Sequence, residues 1–127
     1  MPRKVKTRIT AAPNFLRNLE AAQLFFVEQD ADSAAVRFRK LKEELREMIA
    51  VVSWSPASGR PARFLGGRSA QARLRAKSVQ ALATQAGLPG LREYVLSRHV
   101  VLYAHSDVEV AFLALKHQRQ LMYAAEG

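Results

Sequence analysis

The sequence predicts an α+β fold: an N-terminal strand and antiparallel helical hairpin packed on a small antiparallel β-sheet, with an inserted helix. Three observations carry this expectation. Apolar side chains repeat at helical spacing in two stretches between residues 13 and 48. The last third of the chain divides into three aliphatic, strand-like runs. Between these halves lies an Ala-, Gln- and Arg-rich segment with neither Gly nor Pro over residues 69–86. The 127 residues make one domain, 1–127, of ordinary size. Such a chain buries roughly 65–70% of its unfolded surface and needs neither metal nor disulfide to hold it.

Residues 4–10 (Lys-Val-Lys-Thr-Arg-Ile-Thr) alternate and predict the first strand. Pro13 suits the first turn of a helix, where its missing N–H costs nothing. Phe15, Leu19, Ala22 and Phe26 then form one stripe. Gln29–Ser33 is a polar turn in which Asp32 or Ser33 can cap a second helix, whose stripe is Phe38, Leu41, Leu45 and Met48. So short a turn implies an antiparallel hairpin. Trp54–Pro61 is a turn-rich break, and Ser69 and Gly87 bound a third helix within an insertion at about 64–90. Leu91–Leu96, His99–Ala104 and Val108–Lys116 are the three later strands. The last is apolar on both faces and should lie centrally or be covered on both sides. A two-residue turn at Ser106-Asp107 would pair residue 116 with residue 97. That register gathers Arg98, His99, Lys116 and His117 at one end of the sheet, with Arg119 just beyond.

Charge and composition narrow the function. There are 20 Lys and Arg against 11 Asp and Glu, a formal charge of +9, which suggests a polyanionic partner, nucleic acid or acidic protein. Seven acids fall between residues 20 and 47, whereas no acid occurs from Met48 to Arg92. Absence of cysteine excludes disulfides, thiolate catalysis and Cys-ligated zinc, and makes the cytoplasm the default compartment. No run approaches the ~18 apolar residues of a membrane span. Gly66-Gly67-Arg68-Ser69 lacks the spacing and the lysine of a phosphate loop. His99, His105 and His117 form no metal-binding pair of the H-x3-H or H-E-x-x-H type, and neither metal nor cofactor is expected. No serine lies in a nucleophile elbow. A metal-independent ribonuclease needs only a base, an acid and a cation for the phosphorane. His117, Arg119 and Tyr123 are the right types for that; the alternative places His117 at a strand end, Arg119 in a partner contact and Tyr123 in the core.

Gly59-Arg60-Pro61, Leu91-Arg-Glu-Tyr-Val-Leu96, Val100-Val-Leu-Tyr-Ala104, Val108–Leu115 and Lys116-His-Gln-Arg-Gln120, following a strand and a helical hairpin, resemble the RelE/ParE toxin superfamily. The likeness covers about residues 4–123 apart from the insertion. It implies the toxin of a bacterial type II toxin–antitoxin (plasmid-stabilisation) system, held inert by an acidic antitoxin in a hetero-oligomer. RelE-like members cut messenger RNA in the ribosome; ParE-like members inhibit DNA gyrase and cut nothing. The RelE-like pattern has an arginine where this chain has Val100, and paired lysines where it has Leu91-Arg-Glu-Tyr. The resemblance therefore favours a ParE-like gyrase inhibitor, with Arg92, Arg98, Lys116 and Arg119 as target- or phosphate-binding contacts. The alternatives are a ribosome-dependent endoribonuclease using His117, Arg119 and Tyr123, or an inactive toxin-like binding protein.

Overall fold

The computed structural model describes residues 7–62, 77, 81, 87, 88 and 90–119. Strand β1 (Arg8–Ala11) leads into helices α1 (Pro13–Gln29) and α2 (Ala31–Trp54) and a 3-10 turn at Pro56–Ser58. Strands β2 (Arg60–Pro61), β3 (Gly90–Val95), β4 (His99–His105) and β5 (Glu109–His117) complete one open sheet, ordered β1-β5-β4-β3-β2. The fold is α+β.

Pro13 opens α1 as expected. The cap of α2 differs from expectation. Asp30, extended at φ −164° and ψ 99°, accepts the N–H of Asp32 at 3.1 Å. The connection thus shrinks to one residue, and Asp32 moves into the first turn, where its charge favours the helix dipole. Phe15 and Phe26 from α1 and Leu41, Leu45, Met48 and Val52 from α2 bury themselves against Val101, Tyr103, Val110, Phe112 and Leu115 of the sheet. The Phe15 and Phe112 rings lie 5.5 Å apart. On the other face, Val100, Leu102, Ala104, Ala111, Leu113 and Ala114 form a second cluster. β4 and β5 are therefore apolar on both faces, which suits strands flanked on both sides.

The sheet is mixed rather than antiparallel. β1 runs parallel to β5, with Ile9 beside Val110 and Ala11 beside Phe112, because both helices intervene before the chain reaches β5 and supply the crossover that parallel neighbours need. β2, a strand absent from the sequence expectation, pairs with β3 at the sheet's edge, where a proline removes no interior ladder bond. The β4–β5 register also differs. Four residues separate the paired His105 and Val110, since Ser106 Oγ accepts the N–H groups of both Val108 and Glu109 at 3.2 Å and widens the turn. An irregularity at Leu102/Tyr103 shifts the ladder once more, so Lys116 faces Val100, not Ser97, and His117 faces His99. The helix expected over 69–86 lies outside the described residues except for Lys77 and Ala81, both helical. Tyr123 and most of the insertion also lie outside them.

Beyond Phe112 β5 outlasts β1, and α1 takes over its outer edge. Asn14 Nδ2 donates to the Leu113 carbonyl at 3.0 Å, and the Leu115 N–H donates to Asn18 Oδ1 at 3.0 Å. Asn14 is itself buried. Asn14→Ala leaves a buried carbonyl without this donor and is expected to lower stability by about 1–3 kcal/mol, read as a shift in urea midpoint at unchanged slope.

Candidate interaction site at the sheet rim

The register brings His99, at the start of β4, opposite His117, at the end of β5. Their imidazoles meet edge to face with centroids 5.2 Å apart. His99 is buried, with Phe26 of α1 6.0 Å away on a perpendicular plane, and the Arg37 guanidinium of α2 caps that phenyl ring at 4.6 Å. The Gln118 N–H donates to the Arg98 carbonyl at 2.9 Å, so the chain on either side of the histidine pair is tied together. Gln118 Nε2 adds bonds to the carbonyls of Leu96 and Ser97 at 2.9 and 3.1 Å.

Two open clefts flank the pair. One, of about 300 Å³, lies between α1 and β5 and is lined by Ala21, Ala22, Phe25, Leu115 and Lys116, with both imidazoles. The other, of about 270 Å³, lies against α2 and presents Arg37, Lys40, Glu44, Arg98 and the same imidazoles. Adjacent side chains of α1 thus serve different clefts: half-exposed Phe25 the first, buried Phe26 the second.

Burial, followed by the charge of His117, holds the His99 imidazole far below its usual value, at about 4. His117 is also held low, by burial first and then by Arg119, Arg98, Arg37 and Lys116. The Arg119 N–H donates to His117 Nδ1 at 3.1 Å, which places the ring proton of the neutral form on Nε2. Glu44 supplies the facing carboxylate and accepts the Ser97 N–H at 3.0 Å.

Arg98, His99, Lys116, His117 and Arg119 therefore gather at one rim, though not on one face. His99 and His117 face the helices. Lys116, one residue before His117 and paired with Val100 of the opposite cluster, has its pKa lowered chiefly by burial, which Glu93 opposes and Arg60 reinforces. Arg92 is at the other end of the sheet, opposite Tyr103. Its guanidinium donates to the Gly59 carbonyl at 2.8 Å and to His105 Nε2 at 3.3 Å, which fixes the loop before β2. Arg37, Lys40 and Phe25 were missed in the sequence. The available signal was the spacing of Arg37, Lys40 and Glu44, which puts them along one flank of the Leu41–Leu45 stripe.

Among the described residues no cluster of three or more His, Asp or Glu side chains could hold a metal ion, and no helix is long and apolar enough to cross a membrane. A scan against protein-family models finds no match, and a search of curated proteins finds no relative.

Proposed function

We propose that the chain is the toxin of a type II toxin–antitoxin pair, cytoplasmic, neutralised by an acidic antitoxin and acting as a ParE-like inhibitor of DNA gyrase. The observation that carries this reading is the rim itself. Exposed Arg98 lines one cleft with Arg37 and Lys40, Phe25, Ala22 and Leu115 give the other an apolar wall, the His99–His117 pair joins the two, and exposed Arg119 follows directly on that pair. Apolar area with a cationic border is the composition of a protein-binding surface for an acidic partner. The resemblance to the RelE/ParE superfamily and the +9 charge support the same class. Its two departures from the nuclease pattern favour gyrase. Val100, where nucleases of that kind carry an arginine, is buried in the apolar cluster behind the sheet.

Purified protein is expected to block supercoiling by gyrase in vitro. The double variant Arg98→Ala/Arg119→Ala should weaken that block about tenfold or more, as loss of two rim charges would. A normal supercoiling rate at saturating protein sinks the gyrase reading. The nuclease reading draws on His117 beside Arg119 and Arg98; ribosome-dependent cleavage of messenger RNA that is lost in Arg119→Ala would replace the gyrase proposal with it.

A further inference from the structure

We propose that docking of an acidic protein segment on the β4–β5 rim draws a proton from solvent onto Nδ1 of His117, so that the rim grips its partner more tightly as pH falls from about 8 to about 6. The inference rests on the reading of the rim as the seat of an acidic protein.

The groups facing the imidazole pair decide it. Arg119, just past the end of β5, Arg98 in the β3–β4 connection and Arg37 of α2 act on His117 in that order, and Lys116, on the opposite face of β5, acts last. Lys40 and Glu44 line the α2 cleft. α1 contributes Phe26 and Asn18, which carry no charge. Among the described residues that line the two clefts Glu44 is the carboxylate, and it already accepts the Ser97 N–H. An unoccupied rim is thus a hostile place for an imidazolium. Two or more carboxylates laid across Arg98, Arg119 and Arg37 reverse the local field and make the charged ring favourable. The two histidines answer differently. His99 is buried behind Phe26, whereas His117 is partly exposed and can be reached by the incoming charge.

The proton has a defined destination. In the neutral ring Nδ1 accepts the Arg119 N–H at 3.1 Å. Protonation turns that acceptor into a donor, so the bond breaks and the Arg119 backbone turns away. Gln118 stays fixed through Leu96 and Ser97. Arg119 can then swing toward the bound segment about an anchored neighbour. Binding and protonation are linked, and each strengthens the other by the same factor.

The test uses the full chain and poly-L-aspartate of about twenty residues, whose carboxylates stay ionised over this range. Calorimetric titrations at about pH 6.5 in buffers of different ionisation enthalpy count the protons taken up. We expect uptake of a large part of one proton per complex and a dissociation constant about three- to tenfold tighter at pH 6 than at pH 8. His117→Gln should bind with the pH dependence largely gone. His105→Gln, at the far end of the sheet, should keep it. The imidazole of His117 in the unaltered protein, followed by NMR with and without the polymer, should titrate at higher pH when the polymer is bound, which tests the idea without any variant. Polymer that binds without proton uptake, or uptake undiminished in His117→Gln, overturns the proposal. Failure of poly-L-aspartate to bind, binding indifferent to Arg98→Ala, or clearly tighter binding of polyuridylate overturns the reading of the rim as a protein seat, and the proposal falls with it.

Discussion

Alanine at position 59 is expected to lower the unfolding free energy by about 2–4 kcal/mol, through overpacking against atoms that cannot retreat. A Cβ there would lie 2.5 Å from the Glu93 carbonyl oxygen and 2.7 Å from the Tyr103 hydroxyl. Gly59 sits at φ −70° and ψ 170°, a conformation open to any residue, so the penalty is steric and owes nothing to backbone freedom. Neither neighbour has slack. Glu93 stands in the β3–β4 ladder opposite Leu102, and its buried carboxylate pairs with Arg60 at 3.3 Å. Tyr103 is fully buried; its hydroxyl donates to the Pro56 carbonyl at 2.8 Å while accepting the Gly59 N–H at 2.8 Å. Burial also raises the phenol's pKa, which favours the protonated, donating hydroxyl. Displacing the ring breaks both bonds and disturbs Arg92, which holds the Gly59 carbonyl. Tyr103→Phe removes the two bonds without adding bulk and should cost about 1–3 kcal/mol. Urea unfolding of the pair separates the two effects. Gly59→Ala within about 0.5 kcal/mol of the parent would mean the loop does not approach the sheet this closely.

Where sequence reasoning succeeded, a single period governed the outcome. The stripe Phe15-Leu19-Ala22-Phe26 and the stripe Phe38-Leu41-Leu45-Met48 pack on the core as their spacing requires. The doubly apolar run of β5 lies inside the sheet. Placement of Arg98, His99, Lys116, His117 and Arg119 at one end survived a wrong register because antiparallel pairing returns the start of β4 to the end of β5 whatever the turn length. Which residue faces which did not survive. It depends on Ser106 Oγ widening the turn and on the irregularity at Leu102/Tyr103, and neither leaves a mark in the hydrophobic pattern. The Gly59–Tyr103–Arg92 network joins residues up to 44 positions apart through hydroxyl and carbonyl groups, and periodicity is blind to such contacts. Arg92 therefore read as one more cation, when its guanidinium belongs to a loop at the opposite end from the rim. The parallel placement of β1 was equally hidden, since four residues of alternating sequence fit either edge and either direction.

Acid should weaken the fold well before its carboxylates do, and His99 sets where. In the unfolded chain an imidazole binds its proton near 6.5; in the folded protein His99 binds it only at about 4. Between those values the unfolded chain holds more protons, so each step down in pH favours unfolding. The stability that His99 contributes is complete above about 6.5 and declines as pH falls toward 4. A shift of this size corresponds to about 3 kcal/mol, and solvent in the two open clefts screens it to about 1–2 kcal/mol. The cost has a visible origin: burial strips an imidazolium here of water, His117, Arg37 and Arg98 repel it, and Glu44 is too little to offset them. Unfolding free energies at pH 7 and at pH 5.5 should differ by a large part of that amount in the parent protein. In His99→Gln a large part of the difference should vanish, and His117, whose pKa is also lowered in the folded protein, supplies what remains. Equal losses in parent and variant would show that some other group governs the acid limb. His117 separates the two linkages: its ring is partly exposed, so an arriving partner can charge it, whereas His99, buried behind Phe26, lies out of that partner's reach.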